Sequence, residues 1–352
     1  MLKADVSGKG EEARQLFLLT VLIFTSAVSG QMSASRPTEI LRSTAALPPH
    51  IAGAFHDIAA CHLTPEGDYL VFDRRAHSVY RASRTAEAHK IIEIGVEPGR
   101  LLRPLAFDSA TDGTFVIADA PTGVERIQAF FYLGGTTGGF TLPGRTVPRV
   151  ALGDFVLSGI GSLDYTGKTI LVSQPDAGTL ITEYALDGRR LRSFGELRAT
   201  GHEADRDLHV ALNSGIPLAL PGNGGFYFVF LGGIPMFRKY DGSGALVLER
   251  HIEGSELDRH IQSLPREWPR RKTSEGEFPV VPPTVRTAAV APDGELWVSL
   301  VTPHTYVYDT GGDKTRALQF HAAGVMAPSN FYFVSDGRLL VSPGCYTFRW
   351  RQ

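Results

Sequence analysis

Cysteine is nearly absent from this chain of 352 residues: there are two, Cys61 and Cys345. So few exclude a disulfide-dense scaffold and a four-cysteine zinc site. An excess of one charge is also lacking, since the formal net charge is −2. That balance, with no basic stripe, argues against binding nucleic acid or an anionic membrane. No apolar run is long. The strongest, LFLLTVLIF at residues 16–24, falls well short of the roughly 20 residues that cross a bilayer. Recognisable catalytic signatures are missing too. There is no G-x-S-x-G, and the glycines at 222–225 are followed by no Lys-Ser/Thr pair, so they read as turn residues and not as a phosphate loop.

What the chain has in quantity is glycine and proline, 38 and 22 residues, spread along its length beside 43% hydrophobic residues. That mixture fits many short strands joined by many turns. The N-terminus differs. Lys3, Lys9 and Arg14 precede the apolar run, and small residues from Thr25 to Gly30 follow it. This order describes a secretory signal peptide over residues 1–30, with an uncleaved N-terminal anchor as the alternative. Either places the body of the protein outside the cytoplasm, in the periplasm or secreted.

Turn signals then recur at Glu66-Gly67, Asp112-Gly113, Thr166-Gly167, Asn223-Gly224, Asp293-Gly294 and Asp336-Gly337. Successive glycines lie 46, 54, 57, 70 and 43 residues apart. Such a repeat is the signature of a radial β architecture. The clearest copy, TAAVAPDGELWVSLVTPHTYVYDTGG at 287–312, alternates apolar residues around an Asp-Gly turn, a strong hairpin signal. After each turn comes an apolar strand, then a strand rich in aromatic and β-branched residues, then usually a more polar one suited to an exposed edge. The last unit lacks its fourth strand, and EILRSTA at 39–45 has the character to complete it. The 70-residue spacing reflects an insert at 254–283, in which 255–264 reads as a short helix with Leu257, Ile261 and Leu264 on one face. Residues 136–150 read as a Gly/Pro-rich loop, and SGIGS at 158–162 falls where an inner strand is expected.

The segments APDGELWVSL…TYVYD and SATDGTFVIADAPTGVERIQAFF resemble six-bladed β-propellers of the NHL/TolB-like class, over roughly residues 39–350. The resemblance implies an all-β ring of six four-stranded antiparallel blades, closed by an N-terminal strand that completes the last blade. It is unspecific for activity, because the scaffold carries lyases, lactonases, hydrolases and pure binding modules.

In such a ring, residues just before each inner strand and in the loops between second and third strands converge on the channel mouth. Those residues are His56, Asp57, Arg103, Ser158, Asn213, Arg286 and Asn330 in the first set, and Arg74, Arg75, His77, Glu125, Gln174, Asp176 and His304 in the second. Several guanidinium groups with His and Asn suit a small anionic or hydrogen-bonding ligand. The expectation is therefore a monomeric binding or interaction module that recognises a small anionic ligand or a protein partner at the mouth. A propeller enzyme, either a metal-dependent hydrolase or lactonase or a lyase, is the alternative. No cofactor is expected. Ca²⁺ or Zn²⁺ held by His56, Asp57, Asn213, Asn330, His209 or His321 is the lesser possibility, because the lactonase-type and amidating-lyase patterns are not met. Cys61 falls on the inner strand of the first blade and Cys345 begins the third strand of the last. Two strand spacings, about 10 Å, separate such positions before any gap between sheets, so Cys61 is expected to be free and buried.

Overall fold

A computed structural model describes residues 37–351 except 84–86, 122, 143–148, 153–154, 159–160 and 274–275. The proposed signal peptide lies outside the described residues. Six antiparallel meanders follow one another along the chain. Their inner strands are Ile58–Leu63, Pro104–Ser109, Leu163–Tyr165, Gly215–Ala219, Val285–Val290 and Asn330–Phe333. Each inner strand packs beside the next, and the last packs beside the first, so the sheets close around an axis. This is the six-bladed propeller expected from the repeat.

The physics of the repeat is visible in its second strands. YLVFD, FYFVF and LWVSL are buried along their whole length, because each is flanked by strands in its own sheet and covered by a neighbouring sheet on both faces. Aromatic side chains fill the wedges between sheets. Phe72, Phe107, Phe115 and Phe130 pack between the first and second, and Trp297, Phe320, Phe331 and Phe348 between the fifth and sixth. Each fully buried ring contributes roughly 1.5–3 kcal/mol. The turns justify their glycines. In the Asp293-Gly294 turn Gly294 has φ +90°, and its N–H donates to Ala291 at 2.8 Å, a conformation nearly closed to residues with a Cβ.

One connection differs from expectation in detail. Strand Glu39–Arg42 joins the ring, but its ladder is parallel and lies on Lys314–His321 of the fifth sheet. Arg316 holds it there with two hydrogen bonds to the Glu39 carboxylate, at 3.0 and 2.9 Å. The same segment then crosses to the three-stranded sixth sheet, where Ala45 bridges Thr347.

The cysteines pair, contrary to expectation: Cys61 and Cys345 form a disulfide with Cα atoms 5.5 Å apart. Strand-spacing arithmetic failed because Cys345 belongs to the turn ahead of strand Tyr346–Arg349 and has φ +50°. That turn carries it toward the first sheet.

The insert forms helix Ser255–Gln262, anchored by fully buried Leu257, and a hairpin, Arg270–Thr273 with Gly276–Val281. The hairpin pairs in parallel with Arg149–Leu152, which itself pairs with Phe155–Ser158. Strands Arg149–Leu152 and Phe155–Ser158 thus form a second antiparallel pair outside the ring. The third inner strand begins only at Leu163, downstream of where it was expected. Helix Arg206–Leu212 packs on this small sheet through Leu208, Ala211, Leu212 and Val281. All three additions connect an outer strand to the next inner strand, and so stand on the mouth side.

Candidate functional site

The inner strands enclose a channel cavity of about 430 Å³, lined by residues of all six sheets. Its lining is largely polar: small and apolar residues such as Ala59, Leu105, Ile216 and Ala288 alternate with polar side chains, among them Arg74, Arg286 and Asn330, and deeper Asp108, Ser109 and Asp164. No described residue of the insert lines it. The insert stands beside the mouth and roofs a second cavity with Arg198, His202, Arg238 and Trp268.

Arg74, Arg286 and Asn330 are the mouth candidates that reach the channel wall. Arg286 is exposed and has no hydrogen-bond or ion-pair partner among the described residues. Arg74 is paired with Asp57, whose carboxylate accepts from both Nε and Nη2 at 3.2 and 3.0 Å. Around this pair the structure gathers part of the expected cluster. The buried Asp73 carboxylate accepts the backbone N–H groups of His56, Asp57 and Ala76 at 2.7, 3.1 and 2.9 Å, which fixes the start of the first inner strand. The exposed His56 imidazole lies 3.6 Å from that carboxylate. Burial, joined by the charge of the nearby Arg103 guanidinium, holds the His77 pKa below its ordinary value. Arg103 itself is exposed and does not line the cavity.

Three other candidates are turned to structural work. Asn213 is fully buried at the C-terminus of helix Arg206–Leu212, where its Oδ1 accepts from Arg198 N–H at 2.9 Å and its Nδ2 donates to His209 O at 3.0 Å. Gln174 is buried and accepts the Tyr184 hydroxyl at 2.9 Å. The His304 ring lies 2.9 Å from the Gln319 amide on the outer strand, away from the channel. Among the described residues no three His, Cys, Asp or Glu side chains come close enough to hold a metal ion.

The channel floor holds a set that the sequence reading missed. At matched levels of the first three inner strands, each polar side chain reaches the next strand. His62 Nδ1 lies 2.6 Å from Ser109 Oγ, Asp108 Oδ2 accepts Tyr165 N–H at 2.7 Å, and Asp164 Oδ2 accepts Ala219 N–H at 3.0 Å. An inner strand is a sheet edge, and its unpaired N–H groups need acceptors. The two carboxylates supply them. Desolvation raises Asp164 to about 7 and, with the adjoining Asp164 charge, raises Asp108 well above the carboxylate range. Burial pushes His62 down to about 3, against an opposing hydrogen-bonding influence from Asn330. The imidazole is therefore neutral, stacked on Tyr332 with centroids 4.3 Å apart. The available signal was a charged residue inside otherwise apolar strands, PLAFDS and LDY, where burial is costly without a partner.

No protein-family model matches the sequence, and no curated protein sequence matches it. Among solved structures, the chain is similar to virginiamycin B lyase from Staphylococcus aureus at 11% identity, over 82% of this chain and 92% of that one, with a TM-score of 0.49. A gluconolactonase from Xanthomonas campestris matches at 13% identity over 82% and 84%, TM-score 0.47. BamB from Moraxella catarrhalis matches at 11% over 84% and 86%, TM-score 0.45. At this distance the matches assign no activity.

Proposed function

We propose that the protein is an exported binding module whose channel takes a small anionic ligand. The observation that carries this reading is Arg286, a guanidinium on the cavity wall with no partner among the described residues. A carboxylate or phosphate would complete its two-point geometry. Arg74, already neutralised by Asp57, lends the mouth less charge. The cavity, about 430 Å³, lies within the range of small-molecule sites, roughly 300–1,000 Å³. Export is supported by the disulfide, which persists in oxidising compartments, and by the N-terminal order of basic, apolar and small residues.

The test is a thermal-shift screen of small carboxylates and organic phosphates. The reading expects at least one to raise the midpoint of wild type and to lose that effect in Arg286→Ala. If no anion shifts the wild type, the small-ligand form fails and a protein partner takes its place.

A further inference from the structure

We infer that Ser109 and His62 on the channel floor, with Asn330 above them, form a hydrolytic relay in which Ser109 is the nucleophile toward a small carboxylic ester. Ser109 lines the cavity, and its Oγ lies 2.6 Å from His62 Nδ1, within reach for general-base activation. The other ring nitrogen, Nε2, is buried without a hydrogen-bond partner among the described residues, as is Asn330 Oδ1. Asn330 is the side chain whose hydrogen-bonding influence reaches the ring. Two buried polar atoms left open on neighbouring side chains satisfy each other only if Nε2 carries the proton and donates it to Oδ1. That tautomer leaves Nδ1 as the acceptor of the Ser109 hydroxyl. Stacking on Tyr332 and edge contact with Phe107, at 4.3 and 5.1 Å between centroids, lock the ring plane.

A serine that only clasped two strands would need neither the second pair of open atoms nor a place on the cavity wall. Asp164 lines the same wall, and only its Oδ2 is hydrogen-bonded among the described residues. Protonated, its carboxyl can donate to a carbonyl oxygen. Ser109 Oγ would bond to the ester carbonyl carbon as its proton passes to His62 Nδ1. The ester C–O bond then breaks, and the leaving alkoxide takes that proton. Water attacks the acyl-serine while His62 again accepts and returns one proton, releasing the acid. Arg286 sits three to four residues up its strand from this level, about 10 Å, so an anionic end of the substrate could rest on it. The relay does not depend on that contact. The ring stays in its base form across neutral pH, yet it is a weak base, so slow turnover follows.

The experiment treats the full chain with a fluorophosphonate, a serine-directed probe, and locates the adduct by mass spectrometry. The expected result is one adduct, on Ser109, absent in Ser109→Ala. In His62→Gln its rate should fall about 10²-fold or more with the thermal midpoint retained. Asn330→Ala should lower kcat on p-nitrophenyl acetate more than it changes KM. No adduct on Ser109 would overturn the relay, as would an undiminished rate in folded His62→Gln. Because the screen of anions against Arg286→Ala is read separately, either proposal can fall without the other.

Discussion

At the scale of single residues, the channel floor makes opposite demands on pH. Asp164, raised to about 7 by burial, holds a proton in the folded state that the unfolded chain has already released above about 4. Between those values the folded state binds more protons, so this group's contribution to stability falls as pH rises. His62, lowered to about 3, does the reverse. The unfolded chain binds its proton below about 6.5, so stability is lost as pH falls from there toward 3. The two slopes oppose each other in mild acid, and above about pH 6.5 the carboxyl slope remains alone. Asp164→Asn should therefore stabilise the protein at pH 8 by roughly 1–3 kcal/mol, channel water keeping it at the modest end. Near pH 4 it should change little. Thermal melts of both proteins across pH 4–8 check this, and equal offsets at both ends would contradict it.

At the scale of elements, turns and second strands were legible and side-chain direction was not. An Asp-Gly pair between apolar runs marks its turn whatever surrounds it. Whether Asp108 faces the channel or a neighbouring sheet depends on register, which the sequence leaves open. Asn213 looked like a mouth residue until helix Arg206–Leu212 made it a cap. The cysteines failed for a related reason: a turn residue can leave the lattice of strand spacings. The insert was readable as a helix but not as half of a sheet shared with residues 149–158, since parallel pairing of distant segments leaves no local pattern. Its anchor gives a prediction. Leu257 is fully buried against the fourth and fifth sheets, and Leu257→Ala should cost about 2–5 kcal/mol. Urea unfolding measures the loss, and a change under about 1 kcal/mol would mean that the insert is not docked there.

At the scale of the whole molecule, the ring joins its first and last sheets through inner-strand contacts and one disulfide, while the Ala45 bridge ties the N-terminal segment to the last sheet. Cys61 and Cys345 are 284 residues apart in sequence, so the bond restricts nearly the whole unfolded chain. A cross-link of that span contributes about 2–5 kcal/mol, more than a short loop would. Cys61→Ala with Cys345→Ala should lower the thermal midpoint by several degrees and should leave anion binding in place. An unchanged midpoint would show that the sheet contacts alone hold the closure.

The proposed ligand site on the axis of this ring is governed by one guanidinium, Arg286, which has no partner among the described residues. Calorimetric titration of wild type and Arg286→Ala, using the anion with the largest thermal shift, tests it most directly. One site per chain, weakened at least tenfold (about 1.4 kcal/mol) in the variant and weakened in wild type by added salt, is the predicted result. Equal affinity in the two proteins would contradict the claim.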